Sequence, residues 1–357
     1  MQDDRPETPR AGWRSKRSLL GGTAAVIVIG LVFAFVLPQI ADYRDVWDVL
    51  KTLSWKDAIV LTVATVLNLV TFAPPWMAAL PGLRFRQAFV MSQASTALSL
   101  VTPAGAAVGM AGSYTMLRSW GFAAAPVGLA VAVTGIWNQL STLAFPIVGL
   151  ALLTREDESH ALLRTTALIG VVILVVVLVG FALALSSRAR AIQIGDLAAR
   201  FVNRVYRLLR LKRRVSWGGE SLARFRAQAL ELLRRRWHVL TLATLAGHLT
   251  VFLVLVACIE TVGNTSTQVT LIEAFAAWAL VRVLGAVPFT PGGLGLVELG
   301  LSGALVAFGA ANADAVAVTL IYRFLTIVPT LGLGMLAAAT WRTHHPGHKL
   351  ERGVDDR

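Results

Sequence analysis

The chain has 357 residues, 56% of them hydrophobic and only 15% charged, and its mean hydropathy is positive. Apolar runs of this extent exclude a water-soluble globular protein and predict a polytopic membrane protein. The net charge of +13 does not mark a nucleic-acid binder: 14 of the 33 Lys and Arg lie between Arg188 and Arg236 and others flank apolar runs, the pattern of a cytoplasmic membrane surface.

A polar, basic tail (residues 1–18) precedes a first apolar run, Leu19 to Leu37, which is read as a retained anchor because no small-x-small cleavage site follows it. An acid-leaning loop leads to a span from Ala58 to Leu80, which exits at Arg84 and Arg86. The stretch Ala88 to Leu117 is broken at Thr102-Pro103-Ala104-Gly105. Spans follow at Pro126 to Leu153 and at Leu162 to Leu185, and then comes the basic segment 186–236. Within that segment, Leu, Phe, Val and Tyr interleave with arginines, which predicts one or two interfacial amphipathic helices lying on an anionic lipid surface. Beyond it come a span from Trp237 to Ile259, a second broken stretch from Ala274 to Gly309, a last span from Ala315 to Thr340, and a tail at 342–357. The single cysteine, Cys258, lies in an apolar run and forms no intramolecular disulfide.

The Lys and Arg distribution alternates from loop to loop and places both termini in the cytoplasm, provided each broken stretch leaves on the side it entered. The predicted fold is therefore an all-α polytopic transmembrane bundle over residues 19–341, with six full crossings and two broken, re-entrant hairpins. The breaks also align with one another. Thr102-Pro103-Ala104-Gly105 matches Thr290-Pro291-Gly292-Gly293, Gly121 and Gly309 each lie 18 residues after the proline, and Ala130 to Thr134 matches Ala315 to Thr319. Pro146 and Gly149 likewise match Pro329 and Gly332. The charges orient these units oppositely, which predicts inverted repeats, an architecture of transporters whose freed backbone groups line a protected cavity.

The second break carries the chemistry. Thr290 is expected to cap, and Pro291 to begin, a half-helix that places Glu298 about two turns in. A carboxylate inside the membrane domain needs a partner, and Arg282 and Arg323 are the candidates, the arginine left over being free for an anionic headgroup. The alternative is an ion pair that only locks helices. Replacing Arg323 with glutamine is expected to abolish transport while leaving folded protein in the membrane. Thr290 and Thr102 offer capping hydroxyls, and Gly292, Gly293 and Gly295 let a phosphate approach the half-helix start, with Gly105 of the first break also a candidate binding residue, although such glycines also serve close helix packing. In the first unit Met110 stands in place of Glu298 and Asn138 in place of Arg323, with Gln93 and Gln139 nearby. Asn68 and His248, isolated in apolar spans, are expected to make interhelical hydrogen bonds. The terminal His344, His345 and His348 lack the fixed spacing of a metal site. No nucleotide-binding, zinc or nucleophile motif is present, so neither an enzyme nor a cofactor is expected.

The run Pro291 to Glu298, followed by Gly300-Leu301, Tyr322-Arg323-Phe324, Pro329 and Gly332, resembles the membrane region of lysylphosphatidylglycerol synthases, also called the flippase-like domain. The resemblance spans about Leu19 to Thr340. It implies movement of lipids or lipid-linked sugars between leaflets of the plasma membrane, with a phospholipid or polyprenyl-phosphate lipid as partner. Because the chain ends soon after the last span, the resemblance is not extended to aminoacyltransferase activity. The first break also lacks the arginine and glutamate that many members carry after its proline. An alternative is a non-transporting membrane protein that binds lipid for a separate glycosyl- or aminoacyltransferase.

Overall fold

Ser54 opens the first described helix through a capping box: Ser54 N–H donates to the Asp57 carboxylate at 2.8 Å, and Asp57 N–H donates back to the Ser54 hydroxyl at 3.3 Å. The structure is a computed structural model and describes residues 51, 53–102, 105–156, 172, 175–176, 178–180, 182–183, 186–208, 215, 217–262, 268–285, 291–293 and 295–341. The regular elements among them are all helical: α1 Trp55–Thr71, α2 Pro74–Ala79, α3 Phe85–Val101, α4 Gly105–Ser119, α5 Ala124–Glu156, α6 Arg188–Leu208, α7 Gly219–Thr261, α8 Leu271–Gly285, a single 3-10 turn Pro291–Gly293, α9 Leu296–Ala307 and α10 Asn312–Thr340.

Among the described residues, four helical stretches are long and apolar enough to cross a membrane: Trp55–Ala79, Ala124–Leu153, Gly219–Thr261 and Asn312–Thr340. They coincide with four of the six expected spans. The expected anchor at Leu19 to Leu37 lies outside the described residues, as does most of Leu162 to Leu185. Apolar residues cover the outside of these helices: Val63, Val66, Leu242 and Leu336 are all exposed. In water such a surface aggregates, and against acyl chains it is matched.

The helices of the two broken stretches are shorter than the four spans. By the helical rise, the 17 residues of α3 and the 15 of α4 reach about 25 and 22 Å, and the 12 of α9 only about 18 Å, against a hydrocarbon core of about 30 Å. Small residues bind each pair. A Cβ on Gly105 or Gly109 would collide with Ser99, and one on Gly285 would lie 3.1 Å from Val297. The pairs are also exchanged between units, because α10 packs along α3 while α5 packs along α8. Gly149 of α5 allows the backbone of Ala276 to within 3.0 Å of its Cβ position, and Gly334 of α10 does the same for Ala97 and the Gln93 carbonyl. Nothing lies near the Cβ position of Gly332, the residue aligned with Gly149; Gly334, half a turn on, makes the contact.

The contacts sort the chain into two ends. At one end Leu80, Leu83, Trp120 and Val127 share a cluster with Phe225 and Leu232 of α7, and the Trp120 indole donates to the Trp341 carbonyl at 3.0 Å. At the other, Val262, Val269 and Ala310 cluster with Leu53, and Ala311 N–H donates to Gln268 Oε1 at 3.0 Å.

The basic segment differs from its expectation. Its second half is continuous with the following span, so that α7 runs for 43 residues, about 65 Å, without a break at Arg236. The change from charged to apolar at Trp237 marks a change of solvent, and the backbone hydrogen bonds of a helix do not depend on it. Helix α6 folds against this extension: Asp196 accepts from Gly219 N–H at 2.7 Å, Arg188 pairs with Glu220 at 3.2 Å, and Ala191, Gly195 and Ala199 are buried at the contact. The outer face of α6 carries exposed Ile194, Leu197 and Phe201 beside exposed Arg200 and Arg204.

Candidate functional site

Three glycines set the geometry of the second break. Gly292, Gly293 and Gly295 have φ of 60°, 69° and 84°, a left-handed region in which any other residue is strained. The proline was expected to begin a half-helix, but this run of left-handed residues allows only one 3-10 turn, and α9 begins later, at Leu296 with Gly295 as its N-cap. Glu298 is therefore at the third position of the helix, in its first turn. There its Oε2 accepts Gly295 N–H at 2.6 Å, a carboxylate meeting the positive end of a helix.

The other oxygen settles which arginine it pairs with. Arg323 Nε donates to Glu298 Oε1 at 2.5 Å, and Arg323 Nη2 donates to the Gly292 carbonyl at 2.9 Å. Both side chains are nearly buried, 13% and 7% exposed. Arg323 thus joins α10 to the start of α9 and to the 3-10 turn, and these bonds leave Nη1 for a further acceptor. The turn itself rests on the end of α3, where the Cβ position of Gly292 lies 3.2 Å from the Leu100 carbonyl. The two breaks therefore meet, two residues from Thr102.

Arg282 is differently placed. Its Nη2 bonds His248 Nδ1 at 2.8 Å, and its guanidinium carbon lies 5.2 Å from the centre of the Trp278 ring, one turn back on α8. A guanidinium only donates, so Nδ1 is the acceptor and the histidine proton sits on Nε2. Among the described residues no carboxylate pairs with Arg282. Its Nε, the His248 Nε2 and the Trp278 Nε1 are all buried without a partner. Phe145 packs edge-on against both His248 and Trp278, at 5.5 and 5.2 Å between ring centroids, and Phe72 packs edge-on against His248. The result is one formal positive charge and three N–H donors without a hydrogen bond of normal length, the indole being turned towards the Tyr322 hydroxyl, in a largely aromatic enclosure. Buried donors left unbonded each cost about 1–3 kcal/mol, and a hydrogen-bond acceptor is the species that relieves them.

The remaining expected positions are not gathered here. Thr102 ends α3 with its hydroxyl donating to Leu98 O at 2.6 Å. Gly105 serves close packing on Ser99. Asn138 is exposed on α5, and Met110 sits against Gly135 of that helix, 3.3 Å from its Cβ position. Thr290 lies outside the described residues, as do His344, His345 and His348. Asn68 buries an unpartnered Nδ2, and Gln93 Nε2 donates to Leu69 O at 2.9 Å. Sequence reading foresaw the interhelical bond of His248. It missed Trp278, whose signal was its spacing of four from Arg282, on the same helical face.

The model of the lysylphosphatidylglycerol synthase TM region matches residues 23–334, most of the chain. The protein belongs to this family. As a lysylphosphatidylglycerol synthase TM-region protein it is a membrane protein of apolar helices, and the matched stretch contains both breaks, the Glu298–Arg323 pair and the Arg282 enclosure. Comparison with curated proteins gives no match. Among the described residues no group of His, Cys, Asp or Glu is arranged to hold a metal ion.

Proposed function

We propose that this protein translocates an anionic lipid between the leaflets of the plasma membrane, with Arg282 receiving the phosphate-bearing headgroup. The observation that carries this reading is the uncompensated Arg282 guanidinium with its unsatisfied neighbours His248 and Trp278. Burying an ionic group without a counter-charge is costly, and a charge retained inside a membrane domain marks a ligand pathway more often than a packing device. Glu298 and Arg323 neutralise one another and hold the break in shape, while the start of α9 is already occupied by the Glu298 carboxylate. The headgroup is therefore assigned to Arg282 and not to the helix start at Gly292 and Gly293. Nη1 of Arg323 remains as a second contact along the path, with Thr290, Thr102, Gly105 and Asn138 as candidate lining of the cavity.

An inverted-repeat architecture supports transport. Two re-entrant hairpins are supported by shared clusters, Leu83 and Trp120 falling in one for α3 and α4, and Val269 and Ala310 in another for α8 and α9. The exchange of α5 onto α8 and α10 onto α3 is the reciprocity that a pseudo-two-fold relation requires. With the arginine-rich layer facing the cytoplasm, both termini are cytoplasmic, and the exposed Leu197 and Phe201 of α6 meet the anionic inner leaflet. Neither an enzymatic step nor a cofactor is required. The test is reconstitution in liposomes with fluorescent phosphatidylglycerol, cardiolipin or polyprenyl-phosphate lipid: an anionic probe is expected to change leaflets. Binding without movement would instead identify a lipid-presenting partner of a separate transferase.

A further inference from the structure

We propose that His248 is a proton site coupled to the anion site at Arg282, so that the protein takes up one proton as it binds one anionic headgroup. The inference rests on the assignment of the headgroup to Arg282 and adds the coupled ion to it. Its basis is that two cations compete for one lone pair. Arg282 Nη2 occupies Nδ1 of His248 at 2.8 Å, and the Nε2 proton completes a neutral ring that is only 1% exposed. A proton reaches Nδ1 only when the guanidinium withdraws. While Arg282 remains, imidazolium and guanidinium would stand side by side with no balancing carboxylate among the described residues.

An anion changes both conditions. A phosphate oxygen drawing on the Arg282 guanidinium takes it off Nδ1, and the negative charge compensates one of the two cations. The freed lone pair then accepts a proton from solution; no covalent bond changes apart from N–H formation at Nδ1. Buried Nε2–H is at the same time a ready donor to the incoming acceptor.

The neighbours of the ring offer no competing titration. Helix α1 presents Phe72 and α5 presents Phe145, neither of which ionises. Helix α8 contributes Arg282 and Trp278. On α10, Tyr322 lies close to Arg282 and Arg323, and on α7 Cys258 is buried further along the same core cluster. Glu298 is committed to Arg323 and Gly295. His248 is thus the group of this cluster with a basic ring nitrogen that can gain a proton. By reciprocity the anion favours the proton as much as the proton favours the anion.

The test is calorimetry of the full chain in detergent, titrated with short-chain phosphatidylglycerol in phosphate-free buffers of different ionisation enthalpy. Close to one proton taken up per lipid is expected, with affinity rising towards tenfold for each pH unit lowered wherever the ring is neutral in the free protein and charged in the complex. In His248→Gln and His248→Asn, which keep an acceptor for Arg282 but no titrating ring, the remaining binding is expected to show neither proton uptake nor pH slope. Binding by the unaltered protein with no buffer dependence overturns the coupling and leaves the anion site standing. Proton uptake that persists in both variants removes His248 from it. Absence of binding with this probe and with the other anionic lipids overturns the Arg282 site, and the coupling with it.

Discussion

The most informative perturbation is a double-mutant cycle on Glu298 and Arg323. The pair is short, 2.5 Å, nearly buried, and embedded in two further bonds, to Gly295 N–H and to the Gly292 carbonyl. Arg323→Gln leaves a carboxylate with only a backbone donor, and Glu298→Gln leaves a guanidinium with only a backbone acceptor. Removing one side of a buried pair costs about 3–5 kcal/mol, most of it the penalty of the stranded charge. The double replacement strands no charge, so its cost should fall short of the sum of the singles by at least about 2 kcal/mol, towards the upper end of coupling between contacting residues. Unfolding in mixed micelles, followed by circular dichroism, measures all four corners. Additivity within about 0.5 kcal/mol would refute the reasoning, because it would mean that neither charge depends on the other.

Further expectations concern backbone and topology. Gly292→Ala and Gly295→Ala both force a left-handed residue at about 1–2 kcal/mol, but Gly292→Ala should cost more in the same unfolding assay, since its Cβ meets the Leu100 side chain and carbonyl while that of Gly295 meets nothing. Gly334→Leu should destabilise the protein severely by forcing α10 off Ala97 and Gln93, whereas Gly332→Ala, in open space, should shift the thermal midpoint little. Cysteines placed at Ala123 and Ala311 should react with a membrane-impermeant maleimide from opposite sides, the first from the cytoplasmic side. The native Cys258 is fully buried and gives little background.

Much of this architecture was legible from hydropathy, because a helix facing acyl chains must be apolar for about 20 residues; three such runs became helices at nearly the expected bounds and a fourth lies within the longer α7. The breaks were legible because proline and paired glycines cannot continue a helix. That Glu298 needed an arginine was also legible; that it takes Arg323 was not, since the choice depends on how α9 and α10 pack. Where α9 begins was misjudged because the preference of proline for a first helical turn yields to three neighbouring glycines that adopt positive φ. The length of α7 was hidden by its change of composition at Trp237. Trp278 was hidden because an indole in an apolar run looks like core until the arginine beside it proves to have no carboxylate partner among the described residues.

The central claim is that Arg282 receives the headgroup. Liposomes carrying the unaltered protein or Arg282→Gln, with fluorescent phosphatidylglycerol in both leaflets and dithionite added outside, measure it directly. The account predicts that the unaltered protein exposes the inner-leaflet probe to dithionite. It also predicts that Arg282→Gln, recovered folded and at equal density, is reduced to the rate of protein-free liposomes. Movement by Arg282→Gln at the unaltered rate would contradict the account.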